Sequence, residues 1–433
     1  MAPGSRFGQE ERLVVTVGRR LTGDLALYPR HRLDITVSDL LYGLSACLWA
    51  SGRRRLAAEV VRAFPPDEDG LACYSVRTGF DLLLGALALA PGEEVLVSAV
   101  THPDMVRIIE GHGLRAVPVD LDTSTLEPRP DLLDEALSPL TRMILVAHLF
   151  GGRFDLGPIA AFARRHGLLL VEDCAQAFRG PRHPGDSLAD VSMFSFGTLK
   201  TNSAVGGAVL HVRSPRLLQK MRRLQESLPV QSRHHYAGRL LKTLGPVLLG
   251  RPVPYGLLAR TCGLLGWDLN DLVNGAVRAF PASRNANDEL FTRIRRRPSA
   301  PLLALLARRL CTFDGTRLDC RTAVGERLAR RLPAALRHPG ELAPSRTHWL
   351  LPVVAPDPER LVSGLRKTGF DASRATSNIA PVLAPPDLPE MSPAEAIHMM
   401  SGLVFLPVYP ELPQEAADRL LNAVEGLAPE GRS

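Results

Sequence analysis

Apolar and polar positions along this chain follow two periods in turn. Between about residues 70 and 215, short apolar runs of strand length recur, most followed by apolar residues at helical spacing. LACYSV (71–76) runs into a helix that ends near residue 90. EEVLVSAV (93–100), RAVPVDLD (115–122), TRMILVAHLFG (141–151), LLLV (168–171), VSMFSF (191–196) and GGAVLHV (206–212) continue the series. Such alternation predicts an α/β layer with a mostly parallel sheet. Loops at the carboxyl ends of its strands then gather on one side, where α/β proteins place their sites.

The flanking segments read differently. DITVSDLLYGLSACLWASGRRRLAAEVVRAF (34–64) carries one or two helices within an N-terminal arm, residues 1–70. Residues 71–221 form the large domain. Residues 222–300 are Leu- and Gly-rich and broken by Pro246, Pro252 and Pro254, which predicts a helical insertion or connection. Residues 301–433 form a smaller α+β domain. Its strands are THWLLPVV (347–354) and part of GLVFLPVYPEL (402–412). Its helices are DPERLVSGLRKTGF (357–370) and a last one from about Gln414 to Glu425.

Residues 171–200 carry the candidate chemistry. The strand ending at Val171 runs out into Glu172 and Asp173, and Lys200 follows one strand and turn later. An acid at a strand's carboxyl end and a lysine so placed meet in space. A pyridine-based cofactor needs that pair, an amine for covalent attachment and an acid to keep the ring nitrogen protonated. The basic residues single out the lysine. The chain has 48 arginines and four lysines, Lys200, Lys220, Lys242 and Lys367. Arginine stays protonated and delocalised and forms no imine, so a lysine here stands out.

D-x-x-Q at Asp173–Gln176, followed by S-F-x-x-x-K at Ser195–Lys200 and a Gly-Gly strand, resembles the DegT/DnrJ/EryC1/StrS aminotransferases. The resemblance covers residues 70 to 215 well and the C-terminal third more loosely. It implies a fold-type I enzyme dependent on pyridoxal 5'-phosphate, with Lys200 as the Schiff-base lysine and Asp173 on the pyridine nitrogen. It puts Gln176 beside the ring 3-hydroxyl, Ser195 at the phosphate and His102 stacked on the ring. Ser75, Val76 and Arg77 stand where the family has Ser/Asn-Gly-Thr before a helix, so Val76 and Arg77 fall in the phosphate site, with Val in place of Gly. Before Gly206 the chain has Val205 and lacks the family's Glu. Arg295 stands where the family has an Asn that reaches the partner's cofactor phosphate. The implied activity is transamination from glutamate or glutamine to a nucleotide-linked keto sugar or a cyclitol, in a homodimer. Family members that dehydrate sugars carry His at the lysine position, and Lys200 argues against that. The alternative from another class is a regulatory or scaffold protein on the same fold, without turnover.

Charge and cysteine content alter this picture little. Net charge is +7, but no basic helix or aromatic-interleaved patch marks a nucleic-acid surface. Six cysteines lack metal or disulfide spacing and read as reduced core residues of a cytoplasmic protein. The first residues show no apolar signal core, and no apolar run reaches spanning length. The 222–300 segment, with Arg239, Lys242, Arg251 and Arg260, suits either packing on a partner subunit or peripheral membrane contact, and the first is favoured.

Overall fold

The structure, a computed structural model, describes residues 25–65, 69–277, 287–374 and 379–428. The first 24 residues of the expected arm lie outside it. The main sheet has seven strands: β1 (Gly70–Cys73), β2 (Glu94–Ser98), β3 (Arg115–Val119), β4 (Thr141–Ala147), β5 (Leu169–Asp173), β6 (Val191–Ser195) and β7 (Ala208–Val212). They lie in the order β1-β7-β6-β5-β4-β2-β3. All neighbours from β3 through β6 pair in parallel, and β7 alone runs against the rest. The expected mostly parallel sheet is therefore present. Its carboxyl edge carries Ser75, His102, His148, Asp173 and Ser195 just at or beyond strand ends.

Alternate residues of each strand face opposite sides of a sheet, and both sides are covered here. Val95, Met143, Leu145, Val171, Met193 and Leu210 pack under helices α1 to α3 of that face: Val76–Leu87, Pro103–Gly111 and Pro215–Ser227. On the other face Leu96, Ile144, Val146 and Leu170 meet the helix Gly157–His166. Further along that face, Ala72, Phe194 and Val209 meet Val37–Trp49, Arg53–Arg62 and Ala300–Cys311. Two strand expectations shift slightly. The run 93–100 divides into Glu94–Ser98 and Val100–Thr101, and β5 extends through Asp173 rather than ending at Val171.

The C-terminal part forms a three-stranded antiparallel sheet, with Leu403–Leu406 between Leu351–Val354 and Ser373–Arg374. Helices Gly315–Ala329, Pro358–Lys367 and Gln414–Leu427 pack on it. Two short ladders join this part to the large sheet's rim, Ser345–Arg346 on Gly152–Arg153 and Ala380–Pro381 on Val100–Thr101. Between them Trp349, buried, reaches the Lys200 loop.

Residues 222–300 are helical in the described part, with Arg233–Leu249, Pro252–Leu265 and Leu269–Val277 as separate helices. Pro252 starts the second helix, where its missing N–H costs nothing; Pro246 lies within the first. Cysteine burial is mixed. Cys73, Cys174 and Cys262 are buried, but Cys311 and Cys320 are exposed, so the expectation of six core thiols does not hold.

Asp371 ties three of these parts together. Its carboxylate is fully buried and accepts from Arg30 of the arm at 2.7 and 3.0 Å. It also accepts from Tyr255 of the insertion at 2.7 Å and from Arg366 at 2.9 Å. Around it, Leu27 N–H donates to the Pro252 carbonyl and Tyr28 pairs with Gly369 and Asp371 through the backbone. The contact is close enough that a Cβ at Gly256 would lie 1.9 Å from the Leu25 carbonyl oxygen. Burial alone would raise the Asp371 pKa, but Arg30 and Tyr255 outweigh it and hold the carboxyl below its usual value. This stabilisation is complete above the unfolded carboxylate pKa of about 4 and is lost as pH falls through the folded value. Asp371→Ala leaves Arg30 and Arg366 without their carboxylate, with only the neutral Asn270 Oδ1 as a shared acceptor. It should cost about 3–5 kcal/mol in chemical denaturation at pH 7 and open the arm to proteolysis near residues 25–36. Stability and digestion matching the unaltered protein would remove Asp371 from this role.

Candidate active site

Period-two alternation places Asp173 and Glu172 on opposite faces of β5. Asp173 shares a face with Val171 and turns towards Lys200. Its Oδ1 accepts from the Ala175 N–H at 2.8 Å. Burial raises its pKa, opposed by that N–H and by the Lys200 charge. Lys200 follows β6 in a tight loop, with its N–H donating to the Gly197 carbonyl. Lys200 is partly buried. Burial, against the pull of Asp173 and with the push of Arg77, lowers its pKa to about 8. The expected acid–amine pair is therefore brought together.

The loop around Lys200 is held from several sides. Asn202 and Val205 have left-handed φ values of 56° each, unusual for residues with a Cβ. Asp34 of the arm accepts from the Asn202 N–H through its side chain and from the Ser203 N–H through its carbonyl. Arg309 bridges Asp34, Asp39 and the Ser203 carbonyl. The double glycine behaves as its pattern implied. Gly207 has φ 88°, and a Cβ there would lie 3.0 Å from Leu306 and 3.9 Å from the Cys73 carbonyl.

The remaining expected residues line the same edge. Ser75 caps the helix Val76–Leu87 by accepting from the Thr78 N–H. The side chain of Val76 is packed in the core, so its bulk lies away from the helix's open amide end. Arg77 is paired with Asp104 at 2.6 Å, and its charge still reaches Lys200 and His102. His102 caps the next helix, with Nδ1 accepting from the Asp104 N–H at 3.1 Å. Burial and then Arg77 lower its pKa to about 4, so it is a neutral, flat ring with its donor at Nε2. Gln176 Oε1 accepts from the Phe150 N–H at 2.9 Å, leaving Nε2 as the donor end. Ser195 ends β6, and its Oγ has no partner among the described residues.

Arg295 turns to its own chain, with a two-point contact to Asp81 at 3.0 and 3.1 Å. His148, at the end of its strand, is a structural contact behind the pocket, on the Glu172 side of β5. There Glu172, fully buried, meets His148 Nε2 and Arg153 Nη2, each at 3.1 Å, and the Asp186 N–H at 2.5 Å. Burial would raise the Glu172 pKa, but His148 and Arg153 bring it to about 2. A Cβ at Gly185 would lie 2.2 Å from Glu172 Oε1 and from Ser192 Oγ, so the loop closes this tightly only with glycine there. Cys174 is near enough to complete a three-ligand set. However, Arg153 engages the carboxylate and burial raises the thiol pKa well above its usual value. The set is a structural network.

Sequence reasoning missed His31, Trp349, Arg321 and Thr201. The Lys200 amine lies 4.3 Å from the Trp349 ring centre, and Trp349 Nε1 donates to the Leu199 carbonyl. His31 meets Trp349 edge-on at 6.3 Å. Arg321 donates to Thr201 Oγ1 and the Thr347 carbonyl. Apart from Arg321 to Thr347, 26 residues apart, these contacts span about 120 to 320 residues of sequence, and no local pattern announces them.

Comparison with known proteins agrees with this geometry. Residues 49–242 match the model of the DegT/DnrJ/EryC1/StrS aminotransferase family. The chain is 31% identical over 201 residues to a GDP-perosamine synthase of Caulobacter vibrioides, covering 45% of this chain and 54% of that one. It is 30% identical over 191 residues to a pleiotropic regulatory protein of Geobacillus stearothermophilus, covering 43% and 50%. The chain thus spans about half the length of these curated relatives. The aminotransferase TlmJ of Streptoalloteichus hindustanus superposes with TM-score 0.65 at 20% identity, over 93% of this chain and 98% of that one, which shows the shared fold. The chain shares the fold of this aminotransferase, and its motif-bearing part, residues 49–242, is similar to the DegT/DnrJ/EryC1/StrS aminotransferase family.

Proposed function

We propose that the protein is a cytoplasmic, homodimeric aminotransferase dependent on pyridoxal 5'-phosphate. It moves an amino group from glutamate or glutamine to a keto sugar carried on a nucleotide, or to a cyclitol. The observation that carries this reading is that the fold brings Lys200, partly buried and stacked on Trp349, to the same sheet edge as Asp173, where each feels the other's charge. The donor set fits the cofactor, with an amine that can be neutral, an acid, an open helix end and a flat neutral ring. When bound, the cofactor supplies an aldehyde for attachment and a ring that draws electrons from the substrate carbon. Lys200 would be the attachment point, and once free its amine would take the proton from the donor's Cα and deliver it to the carbon derived from the aldehyde. Asp173 would hold a proton at the ring nitrogen. Gln176 Nε2 would donate at the ring hydroxyl, and His102 would cover one ring face. The Val76 and Arg77 amides at the helix start, the Arg77 side chain and Ser195 Oγ hold the phosphate, as free amides and helix dipole favour an anion there.

Similarity to a GDP-perosamine synthase supports the sugar class. A scaffold role without turnover has its own support in the regulatory relative. An absorbance scan separates the two. A visible cofactor band that shifts on adding an amino donor favours the enzyme, and a band that does not respond favours the scaffold.

The second copy has a surface to cover. The insertion exposes Leu241, Leu248, Leu257, Leu264 and Trp267, and its first helix packs on Val37–Trp49, which exposes Leu48 and Trp49. No helix among the described residues is long and apolar enough to cross a membrane.

Three outcomes test these readings. Amine labelling of Lys200 should rise through a midpoint near pH 8, about two units below an ordinary lysine, and borohydride should fix the cofactor's mass on Lys200. A midpoint near 10, or mass on Lys220, Lys242 or Lys367, defeats the assignment. Asp173→Asn keeps shape and removes charge, and turnover should drop roughly a hundredfold or more, as with other losses of preorganised charge. Near-normal turnover would mean that another group protonates the ring. Leu48→Glu with Leu264→Glu should shift sedimentation towards monomer, and anionic vesicles should not float the unaltered protein. Flotation lost in that double variant, with the dimer intact, would make this face a membrane contact.

A further inference from the structure

Lys200 forms no ion pair among the described residues. Asp173 acts on its amine through charge alone, and the group in contact is the ring of Trp349, 4.3 Å away at the centroid. The ring is the fixed partner. Trp349 is 5% exposed, and its Nε1 donates to the Leu199 carbonyl at 3.0 Å. On either side of it the backbone is tied to the large domain. Thr347 N–H donates to the Gly151 carbonyl at 2.9 Å and Leu350 N–H to the Phe150 carbonyl at 3.2 Å. His348 between them meets Glu326 at 2.8 Å, and His31 of the arm meets the ring edge-on. Lys200, by contrast, reaches the ring on a flexible four-carbon stem.

An aromatic face attracts an ammonium through the ring's quadrupole, and it neither gives nor takes a proton. A carboxylate in direct contact would favour the charged form far more and hold the amine's pKa up. The ring therefore keeps the amine in place while leaving it able to lose its proton. The other charged and titratable groups around the amine are accounted for. Asp173 on β5 pulls, Arg77 on the helix Val76–Leu87 pushes, and His102 and His31 are kept neutral at about 4.

We propose that Trp349 is the resting face of the free Lys200 amine, a positioning residue that holds the ammonium at the site without neutralising it. The contact stands on the geometry of this chain. Its use rests on the aminotransferase reading above, in which an amine not bonded to the cofactor has to stay at hand for proton transfer. Trp349 comes from the C-terminal part and Lys200 from the large domain, so the seating of one part on the other sets where the free amine waits.

Amine labelling of Lys200 against pH, in the full chain freed of cofactor, tests this. The ring favours the charged form, so its loss lowers the midpoint. Trp349→Leu keeps the position apolar and removes the ring, and the midpoint should fall by roughly half a pH unit to one and a half, the equivalent of a cation over a ring. Trp349→Phe keeps a ring but loses the N–H to Leu199, and its midpoint should fall less. Equal falls in the two variants assign the effect to the lost N–H and overturn the inference. A midpoint that stays, or rises towards that of an ordinary lysine, makes Trp349 a packing residue or a water screen and overturns it as well. A second measurement needs no variant at Trp349. In NMR of the unaltered chain with labelled lysines, the Lys200 ε protons, assigned by their loss in Lys200→Arg, should lie upfield of those of Lys220, Lys242 and Lys367, because they sit over a ring face. Ordinary ε shifts for Lys200 overturn the inference too. Borohydride fixation tests the wider reading separately. Midpoints and shifts as stated, in a chain whose Lys200 never takes up the cofactor, would support the resting face and count against the aminotransferase reading instead.

Discussion

The structure depends on one strand end, where period-two alternation sends two adjacent carboxylates to opposite faces of the sheet. Glu172 enters a closed network of His148, Arg153 and the Asp186 amide, and its pKa falls to about 2. Asp173 turns to the Lys200 side, where one amide and the Lys200 charge are its support, and its pKa rises. Burial opposes the charge in both cases. The difference lies in how many donors each carboxylate finds. Glu172 is thereby a fixed anion that locks the 185–186 loop onto the strand. Asp173 keeps a proton affinity that a nearby cation can set. A one-residue slip in this strand would exchange the two and place the locked acid in the pocket.

The lysine loop shows what the rest of the chain contributes. Its two left-handed residues, Asn202 and Val205, cost of order 1 kcal/mol or more each, and such conformations persist only where surroundings over-determine them. Asp34 from the arm, Arg309 from the helix Ala300–Cys311, and Trp349 with Arg321 from the C-terminal part do so here. The Asp371 cluster anchors the arm a few residues before Asp34, so an ion pair remote from Lys200 bears on where the loop can sit. Arm, insertion and C-terminal sheet therefore converge on a single turn.

Much of this was legible in the sequence. Strand runs and their spacing announced a mostly parallel sheet, and Asp173 and Lys200 were readable because local order fixes their places along strand ends. Gln176, Ser195 and His102 came instead from the resemblance of the motifs around them to a known family. What escaped was set by distance. Arg321 reads as one more arginine on a helix, His31 as one polar residue in an arm, and Trp349 as part of a buried strand. Only tertiary packing gives them a common neighbour in Lys200. Arg295 illustrates the converse. Its position in a motif suggested a reach to a partner, but Asp81 and His112 form a nearer anionic site whose pull on a guanidinium is satisfied within the chain.

The chain's preference for arginine has a consequence at this site. An arginine keeps its charge across the physiological range, so Arg77, Arg309, Arg317 and Arg321 set a field around the lysine loop that does not vary with pH. That field, with burial, drives both nearby imidazoles to about 4, well below neutrality. Histidine, ordinarily the group that titrates near pH 7, is thereby kept neutral in this pocket. Of the pocket residues named here, the lysine amine is left as the group nearest its midpoint at neutral pH. Burial first, and then the charge of Arg77, bring it there against the pull of Asp173.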